Sequence, residues 1–200
     1  CIHSCPFGAI VDKSQIYQVI RSILEDNEVV AIVAPSFVGQ FGKDVTVPKF
    51  LTAMKQLGFS DVVEVAAGAD ICTIEEAHDF MEKVPLEQRF MATSCCPSWR
   101  MMARRLFPAE SGNISMTYTP MVYTARLVKK EHPNIKVVFI GPCAAKKLEA
   151  MQDDIRTDVD FVLTYEELMG IFEAKEINFS TLPDSPDLDE GTRAGRGFAV

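Results

Sequence analysis

The chain has 200 residues, a hydrophobic content of 48% and a formal net charge of -8, so it can bury one sizeable core or two small lobes. The acidic balance argues against a nucleic-acid partner, because no basic stripe exists to neutralise phosphates. A small basic redox protein or a small molecule fits this balance better. No apolar run reaches the roughly 18 residues of a membrane span, and the N-terminus shows no signal pattern.

Six cysteines in a chain of this length are too few for a disulfide scaffold. Their clustering indicates metal ligation in a reducing cytoplasm. Cys1 and Cys5 stand in the sequence CIHSCPFGAI, which is typical of the back half of a bacterial ferredoxin run whose four thiolates hold an iron–sulfur cluster. The alternative is a chance pair. Because the chain begins inside this motif, we expect residues 1–12 to be the tail of a ferredoxin-like 4Fe-4S domain and 13–200 to be a second domain.

Hydrophobic patterning from residue 14 onward predicts helices alternating with strands. A helix capped by Ser14 and ending near Asn27 precedes an apolar strand over 29–33, and Pro48 opens a second helix that Gly58 stops. A strand covers 62–65, and Thr73 with Glu76 has the form of a capping box that starts the next helix. The remaining predicted elements are a strand at 90–94, helices at 97–106 and 119–131, strands at 135–140 and 161–163, and a helix from 164 to about 175.

Apolar strands that alternate with helices predict an α/β fold with a parallel sheet covered by helices on both faces. Three predicted strand ends carry special residues, and in a parallel sheet such ends converge on one crevice. The residues expected to line this crevice are Ala34, Ser36, Cys96, Cys143 and Lys146.

Cys95 and Cys96 are adjacent at the predicted end of a buried strand. Successive residues of an extended chain point to opposite faces, so we expect the two thiols to do different jobs, one holding a metal while the other faces a different space. The alternative for each is a small buried hydrophobe. Lys146 follows Cys143 by three residues and can place its ammonium beside that thiolate, or it is a solvated surface charge.

The stretches TSCCPSW (93–99) and GPCAAKKLE (141–149) resemble the first two signature motifs of the [FeFe]-hydrogenase catalytic domain. VAPS, GADICTIEEA and CIHSCPFGAI also stand in the order that this family shows, and the similarity covers essentially the whole chain. The resemblance implies the α/β lobe of the iron hydrogenase catalytic domain, truncated at its C-terminus. The third motif, with the other two cluster cysteines, would lie beyond Val200.

The resemblance implies that Cys96 and Cys143 are two of the four thiolates on the 4Fe-4S part of the H-cluster. Cys95 would be the proton donor facing the di-iron subsite, which carries CO and cyanide ligands. Lys146 and the turn Ala34-Pro35-Ser36 would contact the cyanide ligands, with Met121 near the di-iron subsite.

Glu76, Asp79 and Ser115 match positions of a proton path in the same family, while Glu149 lies near the cluster-binding turn. Carboxylates spaced three residues apart on one helix face suit a proton relay. The alternative for Glu76 is that it does nothing more than cap the helix. The sequence departs from the family pattern at Asp79, where glutamate is usual, at Met121, where glutamine is usual, and at Gly141, where methionine is usual. These changes leave the turnover rate and the preferred direction of catalysis open.

The expected function is that of an iron hydrogenase fragment, from a cytoplasmic enzyme that reversibly reduces protons to H2 with electrons from ferredoxin and depends on maturation proteins. One alternative is a non-catalytic protein of cytosolic iron–sulfur assembly, which would have no need of a thiol such as Cys95. Another is a hydrogen sensor of low turnover. The 200-residue chain alone is expected to be inactive, because it supplies two of the four cluster thiolates.

Overall fold

The computed structural model describes residues 5–7, 9, 11–25 and 27–184. In these ranges the strands are β1 (Val29–Val33), β2 (Asp61–Glu64), β3 (Lys136–Gly141) and β4 (Phe161–Thr164). The α-helices are α1 (Ile16–Leu24), α2 (Val47–Leu57), α3 (Ala66–Lys83), α4 (Pro97–Leu106), α5 (Pro120–Glu131), α6 (Ala145–Ala150) and α7 (Tyr165–Ala174). Short 3-10 helices cover Pro35–Phe37, Pro108–Asn113 and Phe179–Thr181.

The four strands form one parallel sheet in the order β2-β1-β3-β4. β1 and β3 are the central strands, and β1 is buried along its whole length, which explains why all five of its residues are apolar. The pairing continues past β1, because the backbone N–H of Ala34 donates to the carbonyl of Ile140 at 2.9 Å. The turns that follow β1 and β3 therefore lie side by side, and the predicted α/β parallel sheet is confirmed.

The helices bury both faces of the sheet in two apolar clusters. One face packs against α1, α2 and α7, with Phe50, Met54 and Phe172 among its most deeply buried residues. The other face carries Phe139 of β3 and packs against α5, which includes Met121. α3 lies against α5 on this second side.

Capping groups fix the ends of α2 and α7, and the stop at Gly58 agrees with the sequence prediction. The Thr46 hydroxyl caps α2 by accepting from the Lys49 backbone N–H, and Gly58 ends this helix at φ 103°, a left-handed conformation that glycine adopts without strain. Thr164 and Glu167 form a complete capping box at the start of α7.

Four sequence predictions of local structure are wrong: the strand at 90–94, the capping box at Thr73, the placement of Val65 in a strand, and the bounds of the first helix. Residues 90–94 do not form a strand; Ala92 makes a single parallel bridge to Ile114, and Phe90 is 45% exposed. This segment pairs with the chain near 114 and not with the sheet, so a continuous ladder cannot form. The strand end predicted before Cys95 is therefore a bend beside the sheet.

The third helix begins at Ala66, seven residues before the predicted capping box. Thr73 is inside this helix, where its hydroxyl donates to the Ala69 carbonyl at 2.8 Å. Glu76 therefore has no capping role, and its burial needs another explanation. Val65, predicted to be in a strand, is the residue that precedes this helix. The first helix is also shorter than predicted, since it ends at Leu24 and its N-cap is Gln15.

Gly68 sets how closely α3 approaches α5. A Cβ at this position would lie 2.2 Å from the Thr124 hydroxyl oxygen and 2.4 Å from the Pro120 carbonyl oxygen. We expect Gly68→Ala to destabilise the fold by about 1–3 kcal/mol through overpacking. Gly170→Ala, at a helix position with nothing within 4 Å of the added carbon, is the matched control and should be neutral or stabilising by up to about 1 kcal/mol. Urea denaturation measures both changes, and equal effects would contradict the packing argument.

Candidate functional site

A cavity of about 330 Å³ lies where the turns after β1 and β3 meet the loop that leads into α4. Its lining includes Cys95, Cys96 and Cys143, which carry thiols, and Lys146, which carries an amine. The rest of the lining is Ala34, Pro35, Ser36, Val65, Ala69, Pro97, Pro120, Met121, Phe139 and Pro142. The predicted convergence of Ala34, Ser36, Cys96, Cys143 and Lys146 on one crevice is therefore confirmed.

The turn after β1 is held in place by Tyr165, the first residue of α7. The Tyr165 hydroxyl donates to the Ala34 carbonyl at 3.1 Å and lies 2.8 Å from the Ser36 hydroxyl. Because the phenol has one proton, Ser36 is the donor in the second bond. Burial raises the pKa of Tyr165 to about 12, against a smaller lowering by the Ser36 hydrogen bond, so the phenol stays protonated. The role of Tyr165 could not be predicted from the sequence, because nothing local to position 165 indicates a contact with position 36.

Tyr165→Phe is expected to loosen the turn without unfolding the protein. The loss of one hydroxyl leaves the Ala34 carbonyl and the Ser36 hydroxyl each short of a partner, at a cost of about 1 kcal/mol. The Phe37 amide donates to the Ala34 carbonyl, so its hydrogen exchange should speed up in the variant. Tyr17→Phe, at a side chain 70% exposed, is the control. Unchanged exchange at Phe37 would show that Tyr165 does not hold the turn.

Cys95 and Cys96 both line the cavity, although strand geometry predicted opposite faces. The prediction failed because this segment is a bend followed by a helix start, not a strand. The two thiols nevertheless make different contacts. Cys96 is the N-cap of α4, and its sulfur accepts from the Trp99 backbone N–H at 3.5 Å. The Cys95 sulfur lies 3.9 Å from the Thr93 hydroxyl.

The turn after β3 presents Cys143 and then Lys146 on the short helix α6. The Lys146 ammonium donates to the Cys95 backbone carbonyl at 3.0 Å and to the buried Glu149 carboxylate at 2.7 Å. These contacts use two of its three N–H donors. Lys146 thus joins the two cysteine-bearing turns and brings a cation to the cavity.

Lys147, the next residue, is hydrogen-bonded to parts of the fold other than those that Lys146 contacts. Its side chain is 8% exposed and donates to the Asp12 carboxylate, the Lys13 carbonyl and the Glu167 carboxylate. The ion pair with Lys147 lowers the pKa of Asp12. α6 is therefore anchored to the N-terminal segment and to the start of α7. The role of Lys147 could not be predicted from the sequence, since only the fold brings Asp12 and Glu167 to it.

A second group of titratable residues lies on α3, outside the cavity lining. Glu76 is 8% exposed, and burial raises the pKa of its carboxyl group, against hydrogen bonds from Ser115 and the Ser94 backbone that lower it. Among the described residues its Oε1 has no hydrogen-bond partner. Ser115 is also buried. The structure therefore brings two of the three predicted proton-path residues together.

Asp79, the third, is on the same helix and more exposed, and it forms an ion pair of 3.0 Å with Lys83. Its negative charge contributes to the raised pKa of Glu76, so the two carboxylates are electrostatically coupled. Cys5 is half-buried near the N-terminus, and Cys1 lies outside the described residues. The predicted role of these two cysteines in a ferredoxin-like cluster stays a prediction.

Cys72 is a buried thiol that the sequence analysis did not select. Its pKa is raised to about 12, mainly by burial and to a smaller extent by the nearby charges of Glu76 and Cys95, against a lowering by Lys146. Cys72 precedes Glu76 by four residues on α3, a spacing that places both on one helix face. That spacing was the signal available in the sequence. The Cys72 thiol therefore feels the charge of Glu76 on its own helix and also the charge of Cys95 in the cavity lining.

The raised pKa of Glu76 predicts a pH-dependent stability. Between the ordinary carboxyl pKa and the raised one, the folded protein holds a proton that the unfolded chain has lost, so stability falls as pH rises through this window. Glu76→Gln removes that loss, and its advantage over the parent should grow with pH and then level off. Urea midpoints across a pH series measure the effect, with exposed Glu75→Gln as control. Parallel curves for Glu76→Gln and the parent would contradict this account.

The donor set of the cavity suits a thiolate-ligated iron cluster. Such a cluster requires four thiolates, and the cavity offers Cys96 and Cys143, with Cys95 beside them. Within the described ranges, no three His, Cys, Asp or Glu residues are close enough to hold a single metal ion. The residues therefore fit as part of a larger ligand set and not as a complete mononuclear site. Together the fold and these thiols define the class: an α/β domain with a cysteine-lined cavity at the ends of its central strands.

The sequence profile described as "Iron only hydrogenase large subunit, C-terminal domain" matches residues 27–200. The chain therefore belongs to the iron-only hydrogenase large-subunit family. Iron hydrogenase 1 of Clostridium pasteurianum is 32% identical over 98% of this chain and 38% of its own length. The periplasmic [Fe] hydrogenase large subunit of Nitratidesulfovibrio vulgaris is 31% identical over 70% of this chain and 37% of its own length.

A further relative, the cytosolic Fe-S cluster assembly factor NAR1 of Meyerozyma guilliermondii, is 29% identical over 70% of this chain and 29% of its own length. Among solved structures, an [FeFe]-hydrogenase studied for stepwise H-cluster assembly superposes with a TM-score of 0.75 at 26% identity, covering 92% of this chain and 51% of that one. An apo [FeFe]-hydrogenase of Chlamydomonas reinhardtii gives 0.76 at 24% identity, over 92% and 52%.

The chain spans less than two fifths of the length of the curated hydrogenases that it matches and about half of the solved ones. The family implies iron–sulfur clusters and an H-cluster. Among the described residues, no helix is long and apolar enough to cross a membrane.

Proposed function

We propose that this chain is the cluster-holding half of a catalytic domain that reversibly reduces protons to H2 with electrons from ferredoxin. The observation that carries the proposal is the cavity itself, where Cys96, Cys143, Cys95 and Lys146 meet in a chain of the iron-only hydrogenase family. Residues 13–200 form this partial domain, and residues 1–12, with Cys1 and Cys5, are the end of a ferredoxin-like segment that delivers electrons.

In this proposal Cys96 and Cys143 supply two of the four thiolates of a 4Fe-4S cluster. The bound H-cluster, with its CO and cyanide ligands, would supply the two-electron chemistry that combines protons into H2. Lys146 has one N–H donor left after its bonds to Cys95 and Glu149, and this donor suits an anionic ligand such as cyanide. The turn of Ala34, Pro35 and Ser36 lines the same space, with Met121 as an apolar neighbour.

Protons would reach the cavity through Cys95. The thiol is in the lining and electrostatically coupled to Cys72, which is coupled in turn to Glu76. Glu76 and Ser115 are hydrogen-bonded in a buried position, and Asp79 is at the more exposed end of this group. A buried carboxyl with a raised pKa keeps its proton to a higher pH than an exposed one, which suits a relay.

The test is hydrogen evolution by the full-length cytoplasmic protein, produced together with hydrogenase maturation proteins and supplied with reduced ferredoxin. Infrared bands of bound CO and cyanide, measured on the same sample, report the di-iron unit independently of turnover. We expect both signals. Iron without these bands and without H2 would favour the second candidate, a non-catalytic assembly protein, which the likeness to the NAR1 factor supports. Bands with very slow turnover would favour a hydrogen sensor.

A further inference from the structure

The ring of Phe139 occupies the space into which a side chain at position 141 would project. A Cβ built on Gly141 would lie 2.6 Å from both Cε1 and Cζ of Phe139, and 3.5 Å from the Cβ of Ala34. Residues 139 and 141 are two apart in β3 and so face the same side of the sheet. Two atoms at 2.6 Å overlap, so the present ring position and a side chain at 141 exclude each other.

The same ring is part of the cavity wall. Phe139 is 3% exposed, lines the cavity and packs in the apolar cluster that contains Met121 and Val65. Ala34, Val65, Ala69 and Met121 line the cavity together with it. None of these five side chains can donate a strong hydrogen bond, so this wall offers only van der Waals contact. Enclosed cavities with walls of this kind bind benzene or xenon. The apolar wall offers the same van der Waals contact here, beside the cysteines and Lys146 that line the rest of the cavity.

We propose that Phe139 is the specificity-determining residue of this cavity, and that it limits the apolar part to small apolar gas molecules. Gly141 is the companion that makes the ring position possible. The identification of H2 as the gas that binds in the natural protein rests on the proposed function. The steric pairing of Phe139 with Gly141 and the presence of an apolar binding space do not rest on it. The inference about Phe139 and the proposed function can therefore fail separately.

The steric pairing is tested by a double-mutant cycle on the full chain. Gly141→Ala should destabilise the parent, because the ring must move out of a packed cluster. Phe139→Leu removes the two ring atoms that collide while it keeps an apolar side chain. In the Phe139→Leu protein, Gly141→Ala should lower the free energy of unfolding by less than half as much as it does in the parent. Urea midpoints measure both losses of stability. Equal costs in the two backgrounds would mean that the residues do not interact, and the proposal would be overturned.

The binding space is tested with xenon on the metal-free chain, followed by NMR of methionine methyl groups. The Met121 methyl should shift on xenon addition, while Met54, buried against the opposite face of the sheet, should not. Phe139→Leu should raise the xenon affinity measured at Met121 several-fold. Val138→Ala, which opens space on the other face of β3, is the control and should leave the Met121 response unchanged.

Two results would overturn the proposal: a Met121 methyl that does not respond to xenon, or an equal gain in affinity from Val138→Ala. The second would show general loosening and not a specific wall. Because neither readout needs iron, success here with no hydrogen evolution would refute the proposed function alone. Hydrogen evolution with no effect of Phe139→Leu on xenon binding would refute only the inference about Phe139.

Discussion

Replacement of Cys96 by serine or alanine in the full-length protein is expected to abolish retention of the iron–sulfur cluster. The two variants separate the ligand role from the capping role. The Cys96 sulfur accepts the Trp99 N–H at the start of α4, and serine preserves such an acceptor, whereas alanine loses it at about 1 kcal/mol of stability. Neither replacement supplies a thiolate. Both should therefore lose iron, while only alanine should also destabilise α4.

Iron content and electron paramagnetic resonance of the reduced protein measure the loss, and Cys143→Ala should give the same result. Cys72→Ala is the matched control, since Cys72 is a buried thiol outside the cavity lining, and it should keep its iron. A serine variant with full iron content would show that Cys96 is a helix cap and not a cluster ligand. Iron loss in Cys72→Ala as well would indicate a general effect of buried-thiol removal.

Cys95→Ala is expected to keep the cluster and to lose most of the hydrogen turnover. Removal of a positioned acid or base lowers a rate by about 100-fold to 10,000-fold, and aspartate at position 95 should recover part of it. The structure explains why the cavity should survive this change. Lys146 is bonded to the backbone carbonyl of Cys95 and not to its thiol, so the side chain can be replaced while Lys146 stays in place.

Hydrogen evolution and iron content should be measured on the same preparations of Cys95→Ala and Cys95→Asp. Normal turnover in Cys95→Ala would remove the thiol from the proton path and strengthen the assembly-protein alternative. Equal loss of iron in Cys95→Ala and Cys96→Ala would mean that both thiols are structural. Only retained iron with reduced turnover agrees with the proposed division of work between the two neighbours.

The central part of the site could be predicted from the sequence because it depends on strand ends. The apolar runs before Ala34 and Gly141 indicate buried parallel strands, and parallel strands bring their C-terminal ends together whatever their order in the sheet. The same reasoning failed for residues 90–94. An apolar run of this length does not distinguish a strand in the sheet from a segment beside it, and here a single bridge at Ala92 is all that forms.

The supporting residues could not be predicted, because their roles depend on tertiary contacts. Tyr165 reaches Ser36 across 129 positions, and no local pattern marks it as a support of the site. Glu76 illustrates the opposite problem. Its spacing from Thr73 has a convincing local explanation, and the structure replaces that explanation with burial inside a helix that starts at Ala66.

Lys146 and Lys147 are neighbours whose side chains are bonded to different parts of the fold. Lys146 bonds the turn that carries Cys143 to the backbone carbonyl of Cys95, and Lys147 bonds the same turn to Asp12 and Glu167. Positions 147 and 167 therefore depend on one another during evolution more than either depends on position 12. A relative that keeps the buried cation at 147, whose side chain is 8% exposed, should also keep an acidic residue at 167, because a buried ammonium without its counter-ion is costly. Position 12 is freer to change, since the Asp12 side chain is 36% exposed. Joint substitution at positions 147 and 167 is the pattern that this anchor would leave in the family's sequences.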